Sequence, residues 1–597
     1  MIKKTAILIV LVLSFKMITA QVVITDNEQI KGYNSIPQES VFVHFNSSLL
    51  FTGEYLYYTL YCFNNKNLQK SDISKIAYIE LVGKGIDPIF VQKVKLENGI
   101  GSGDFFIPVT VNTGSYKLLA YTNWMKNNKR VPFFESTINI INPYHINQKA
   151  YATSDKVMMD SMPSELYKSK PVSTNHNKAS YENKSILTLE LEQLNYKQRS
   201  KVTMVLKGLE NDNVSKGNYS VSVKKIGQIP KPNTQDSYDF IEGLRANYEQ
   251  NEIKINSKVH LPELRGDLIS GKVTALTDSL DVSKLKVAIS IPGDDYFFQL
   301  AETNSLGEFY VNIDREYSSD KIYLQVLGNN RNKFEIKLDF HNNVNLSNLV
   351  FNEFILQPNW ENEIIERSIH NQIESAYFEF KPDSILTSPI DKMFSNRKWE
   401  SYNLDDYTRF PTLSETFTEY VKNVSVGKLD KDNYVLKVHG FEFDSNTEIP
   451  PLVLVDGVVV QNITDLLNYK ASNIKEISVL RDQLVIGIET FQGIIDIKTI
   501  NGTYENIENE SSIFESTIFK PQLKKHYFTQ VYTKENQNSR IPDDRYQLLW
   551  IPDLDNYKNE EKIEFFTSDV IGEFEINIEG FTLDGKPVSI KKTINVE

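Results

Sequence analysis

The sequence predicts a mainly β protein: tandem β-sandwiches with one α/β domain among them. Three observations predict it. Apolar and polar residues alternate in short segments, the period of a half-buried strand. Thirty-one tyrosines and 33 phenylalanines enrich the chain in residues that pack well on a pleated surface. Gly, Asn and Pro recur between the segments at turn spacing. At 597 residues, with 40% hydrophobic content, the chain can hold several domains, each with its own core.

The first element is a targeting segment. Lys3-Lys4 give a basic start, Ala6 to Phe15 an apolar run, and Ala20 a small residue before Gln21, so residues 1–20 read as a signal peptide. Ten apolar residues are too few to span a bilayer. No cysteine stands directly after the run, at the cleavage point, which argues against a lipid anchor. Export to the periplasm or the outer membrane is therefore expected. Loss of Lys3, Lys4 and Lys16 takes the basic count from 65 to 62 against 78 acidic residues, a net charge of about −16. That balance disfavours nucleic acid and anionic membrane surfaces as partners. Cys62 is the single cysteine, so no internal disulfide is available. In "EYLYYTLYCF" it shares a strand face with Leu56, Tyr58 and Leu60, which predicts a buried, inert thiol.

Between residues 35 and 146, "VFVHFN", "EYLYYTLYCF", "KIAYIELVG", "FVQKVKL" and "SYKLLAYTNW" read as the strands of a first sandwich. The glycines of "NGIGSGDF" have no helix or Lys-Ser/Thr pair after them, so they read as a turn and not a phosphate loop. Residues 147–184 are polar and read as a linker. Strand sets at 185–260 and 261–356 predict a second and a third sandwich, the latter with a hairpin at Asn304 to Gly307. Residues 357–425 read as a helical or irregular connector. Within it, Ile365, Ile369, Ile373 and Ala376 recur at helical spacing and predict an inward apolar stripe. From 426 to 505 the apolar run Leu452 to Val455 ends in Asp456-Gly457, a hairpin signal, and Ile463, Leu466 and Leu467 share a helix face. Residues 510–597 predict a C-terminal sandwich.

Certain stretches resemble known families. "GSGDFFIPVTVNTGSYKLLAYTNWMKN", with Gly114, Tyr116 and Trp124, resembles the macroglobulin-type domain of bacterial relatives of alpha-2-macroglobulin. The 261–356 set, with "SGKV" and "TNSLGEF", is similar to the carboxypeptidase-regulatory sandwich. "PPLVLVDGVVVQNITDLL", together with "EISVLRD" and Gly493 in "GIIDIKT", resembles the plug of TonB-dependent outer-membrane receptors, with Asp456-Gly457 as its turn. "DDRYQLLWIPDL", with Trp550, resembles the closing domain of the same macroglobulin-like proteins. The resemblance implies tandem immunoglobulin-like/macroglobulin-type β-sandwiches with one α/β plug-like domain. Two departures matter. No Cys-Gly-Glu-Gln run is present for the thioester of protease-trapping macroglobulins. The 98 residues after Thr499 do not repeat, so no transmembrane barrel is expected.

No motif carries chemistry. The eight histidines show no zinc-ligand spacing, and neither a Gly-x-Ser-x-Gly elbow nor a calcium loop is found. The expectation is a non-enzymatic envelope protein without cofactor, metal or catalytic residue. Its partner would be an outer-membrane or periplasmic protein, in an oligomeric state the sequence leaves open. Gly114, Tyr116, Trp124, Asp456, Gly457, Gly493 and Trp550 would be structural. The alternative is a saccharide-binding or hydrolase accessory with a site built from distant loops. A cleft lined by converging carboxylates with perturbed pKa values would favour the alternative; smooth strand-edge surfaces without a deep pocket would favour the docking protein.

Overall fold

Alternating segments bury one face, and in the computed structural model most of the expected ones form strands. The structure describes residues 21–597 apart from 24–26, 129–132, 145–185, 209–215, 247–252, 255–257, 278–279, 294–295, 340–343, 345, 387–392, 431–432, 442–448, 503–511, 538 and 557–559. The expected signal peptide and the 147–184 linker lie outside the described residues. Two compact units are present, and neither is continuous in sequence. One takes Val23–Leu264, Val344–Thr387 and Pro521–Glu597; the other takes Arg265–Asn343 and Ser388–Lys520.

In the larger unit the first sandwich has one sheet ordered Leu49–Phe51, Phe134–Ile141, Gly114–Tyr121, Ile76–Val82, Phe90–Lys95 and Pro521–Gln522. Its other sheet carries Glu39–Phe45, Tyr55–Asn64 and Ile100–Phe106. Leu56, Tyr58, Leu60 and Cys62 are fully buried on the shared face. Each large apolar side chain so buried contributes roughly 1.5–3 kcal/mol. Burial pushes the Cys62 thiol well up, which keeps it unreactive. The glycine run differs from expectation. Gly99 makes the turn, with φ +76°, but Gly101 and Gly103 lie inside the strand Ile100–Phe106. A Cβ on Gly101 would come within 2.6 Å of Val94 Cγ1, so glycine is there for close packing.

Residues 185–260 and 510–597 do not form separate sandwiches. Leu187–Leu191 and Lys201–Gly208 share a sheet with Glu560–Phe566. The facing sheet runs Asn195–Tyr196, Pro587–Val596, Gly572–Thr582, Gly217–Lys225 and Gln547–Asn556. The two segments are halves of one sandwich, because so few strands cannot close a core alone. Strand Ile513–Thr517 belongs to the other unit, on the edge of Lys321–Val326, so the 510–597 domain is divided further.

The smaller unit holds the third sandwich, with sheets Glu308–Ile313, Asp267–Ala275, Phe334–Leu338 and Phe297–Glu302, Lys286–Ile291, Lys321–Val326, Ile513–Thr517. The Asn304–Gly307 turn forms, but its flanking strands go to opposite sheets, so it is a crossover and not a hairpin. The α/β layer orders Trp399–Asn403, Ile474–Ile486, Glu489–Thr499, Leu452–Val455 and Val458–Val459. Leu452–Val455 runs parallel to Glu489–Thr499, and the helices Leu413–Glu419 and Ile463–Asn468 bury Leu413, Phe417, Leu466 and Leu467 in the same core. The 357–425 connector is thus split. Its end from Trp399 joins this layer, while the helix Glu361–Ala376 belongs to the larger unit.

Candidate functional site

Strand Tyr55–Asn64 turns Leu56, Tyr58 and Leu60 inward, so Tyr55 and Tyr57 go to its second face. There they join a row of aromatic rings with nearly parallel planes. Phe378 and Tyr55 lie 6.0 Å apart at 12°, Tyr55 and Tyr57 5.7 Å at 18°, and Tyr57 and Trp550 5.9 Å at 23°. Tyr527 meets Tyr57 edge-on at 5.1 Å, and Phe106 meets Tyr55 at 5.2 Å. These rings line a cavity of about 400 Å³ in the larger unit. Tyr527 and Trp550 are shared with a wider cleft of about 930 Å³.

The charged groups on the cavity wall are mostly matched in place. Lys381 donates to both Glu374 oxygens at 2.7 Å, and Arg545 grips the Asp543 carboxylate at 2.6 and 2.7 Å. Lys224 lies 3.3 Å from Glu54. Asp383 accepts the Phe528 N–H at 2.9 Å and has no ion pair among the described residues. Burial raises its carboxyl above the ordinary range, with Asp104 adding to the effect while the Phe528 N–H and Lys525 oppose it. Burial likewise raises Glu374 in spite of Lys381. No hydrogen-bond partner for the Tyr55 or Tyr57 hydroxyl lies among the described residues.

The helix Glu361–Ala376 closes one side, with the opposite face inward from the one expected. Arg367 and Ser368 are buried, whereas Ile365 is 51% and Ile369 50% exposed. The cause is Glu54. Arg367 donates to its two oxygens from Nε at 2.6 Å and Nη2 at 2.8 Å, and the guanidinium sits 4.3 Å over the Phe51 ring. Burial alone would raise Glu54, but Arg367 and then Lys224 outweigh it and hold the carboxyl at about 2. Breaking a buried ion pair by taking away one partner, here Arg367 with Lys224 remaining, costs about 3–5 kcal/mol. Half-exposing an isoleucine forfeits about 1 kcal/mol. The charge wins, and the isoleucines face out.

Of the seven residues expected from sequence, Trp550 lines the cavity. The others hold the fold. Tyr116 donates its hydroxyl to the Asn112 carbonyl at 2.7 Å, close to Gly114 at the start of its strand. Trp124 is fully buried and donates to the Pro37 carbonyl at 2.8 Å. Asp456 and Gly457 take φ of +48° and +83° in the tight turn, and the Asp456 carboxylate accepts from Thr499 N and Oγ1 at 2.9 and 2.6 Å. A side chain on Gly457 would run into Tyr296. Gly493, at φ +82°, faces a register shift, where a Cβ would lie 2.5 Å from the Leu480 carbonyl oxygen. Sequence reading missed Tyr55, Tyr57, Tyr527, Asp383 and Glu374. One signal was available: a strand carrying tyrosine on the face where a one-sided sheet carries polar residues.

A second feature lies in the smaller unit. Val424–Lys428 and Tyr434–Val438 form a two-stranded ribbon. Val424–Lys428 has no strand on its outer side among the described residues, and Leu429 and Tyr434 at the ribbon's tip are exposed. Strand Lys321–Val326, by contrast, has its edge covered by Ile513–Thr517. Among the described residues no helix is long and apolar enough to cross a membrane, and no group of three or more His, Cys, Asp or Glu could hold a metal ion.

No family model matches the chain, and no curated protein matches it. Similar solved structures include Salmonella alpha-2-macroglobulin reacted with methylamine, at 9% identity and a TM-score of 0.22, over 94% of this chain and 40% of that one. Escherichia coli alpha-2-macroglobulin activated by porcine elastase gives 8% identity and 0.22, over 94% and 44%. An adhesin of Yersinia pseudotuberculosis gives 11% and 0.13, over 50% and 57%. The chain spans about two-fifths of the length of the macroglobulins it matches. At such TM-scores the sandwich assignment rests on the strand pairing itself.

Proposed function

We propose that this chain is a non-enzymatic cell-envelope protein that docks on outer-membrane protein machinery, such as a TonB-dependent receptor system. In this reading residues 1–20 direct export and the α/β layer is a plug-like module reused without a barrel. The ribbon Val424–Lys428/Tyr434–Val438 supports it most directly. An unpaired strand edge offers main-chain donors and acceptors, and a partner strand added there gains affinity through them. Exposed Leu429 and Tyr434 add apolar area at the same place. Gln461 is a poor probe of this surface, since it bonds Gly328 N, Gln325 and Val326 within its own unit. The test is a photo-crosslinking residue at Leu429 or Lys428 in living cells. An outer-membrane protein should be captured there. Adducts confined to this chain itself, from both positions, would refute docking through the ribbon.

A further inference from the structure

We propose that the aromatic cavity of the larger unit is a saccharide-binding site that takes a neutral pyranose ring of one or two sugar units. This goes beyond docking, which uses a different unit. The proposal stands on four observations of the same place.

The first is size: about 400 Å³ falls in the range of roughly 300–1,000 Å³ usual for small-molecule sites. The second is the wall. Phe378, Tyr55, Tyr57 and Trp550 form a continuous aromatic row, and Phe378 and Phe106 remain 47% and 42% exposed. Exposed aromatic rings beside a cavity mark a surface kept for contact. A pyranose offers an apolar C–H face that lies against such rings, and its hydroxyls project around the rim.

The third is the polar complement to that rim. The Tyr55 and Tyr57 hydroxyls have no partner among the described residues, and Asp383 keeps one carboxylate oxygen without a hydrogen bond there. Together they provide donors and an acceptor beside the rings, the functions needed to hold adjacent hydroxyl groups. The fourth is charge. Lys224, Lys381 and Arg545 are each spent on Glu54, Glu374 and Asp543, and the remaining Asp544 carboxylate is bonded to His370. A cavity so matched gives no large attraction to an anion. Against a cation it offers one carboxylate, with Lys525 held on neighbouring Asp104 at 2.8 Å. A neutral hydroxylated ring therefore fits better than either ion.

The experiment uses the full-length chain and saturation-transfer NMR with the methyl glycosides of glucose, galactose and mannose, N-acetylglucosamine, and choline as a cationic control. At least one sugar should receive saturation. Asp383→Asn, isosteric and on the rim, should weaken that binding at least tenfold without moving the melting temperature, and Tyr57→Phe should weaken it severalfold. No saturation of any sugar, equal affinity in both variants, or saturation of choline in preference to the sugars would overturn the proposal. Because the site needs neither export nor the ribbon, a failed crosslink leaves this result unaffected.

Discussion

At the scale of single residues, the larger unit buries ionisable groups whose titration can be read as stability. His44 accepts from Asn577 Nδ2 at Nε2 (3.2 Å) and donates from Nδ1 to Ser220 Oγ at 2.6 Å; Ser220 in turn donates to the Glu579 carbonyl. Burial, then Lys591, lowers His44 to about 3. The Glu579 carboxyl is also buried and is raised to about 7 by desolvation, although Ser589 and the Ser237 N–H bond it. The signs oppose. A histidine held neutral contributes stability above its unfolded value near 6.5, lost as pH falls through that value toward 3. A carboxyl held protonated contributes stability below about 4.5, lost as pH rises toward 7. Glu579→Gln removes the second effect alone. Relative to wild type, the variant should gain on the order of 3 kcal/mol between pH 4.5 and 7. Denaturant melts across that range measure it, and a constant difference between the two proteins would mean that Glu579 is ionised in the folded state.

At the scale of elements, the sequence showed which segments are strands far better than what their second faces meet. Tyr58 and Cys62 could be placed inward from alternation alone. Tyr55 and Tyr57 could not be placed in a cavity, because the residues opposite them, Phe378, Tyr527 and Trp550, come from segments remote in the chain. The helix Glu361–Ala376 is the sharper case. Its isoleucine spacing is regular, and periodicity assumes that apolar side chains compete only with solvated polar ones. Glu54, more than 300 positions earlier, supplies a buried carboxylate that periodicity cannot see. Two substitutions on that helix separate the readings. Arg367→Ala should destabilise the larger unit by about 3–5 kcal/mol, by leaving Glu54 buried with Lys224 as its remaining partner. Ile369→Ala should cost about 1 kcal/mol or less, since the side chain is half exposed. If thermal melts rank the two in the reverse order, the isoleucine stripe packs inward after all.

At the scale of the whole molecule, domains were legible as strand sets but not as closed cores, since pairing between distant strands leaves no local mark. The segment 185–260 looked autonomous because its strands are complete in pattern: Leu187–Leu191, Lys201–Gly208 and Gly217–Lys225 each alternate or run apolar. What they lack is a second layer. Glu560–Phe566 pairs with Lys201–Gly208, and Gly217–Lys225 lies between Gln547–Asn556 and Gly572–Thr582. A chain ending at Lys520 therefore loses four long strands and uncovers Val202, Met204, Leu206, Tyr219, Val221 and Val223, all fully buried in the intact protein. Exposing six such side chains costs on the order of 10 kcal/mol, comparable with the roughly 5–15 kcal/mol that holds a whole domain folded. It also opens strand edges to aggregation. The truncated chain should lose the cooperative thermal transition of the larger unit and aggregate, and a co-expressed 521–597 fragment should restore solubility. A soluble 1–520 chain that melts as the full-length protein does would show that the first half of this sandwich stands without its second.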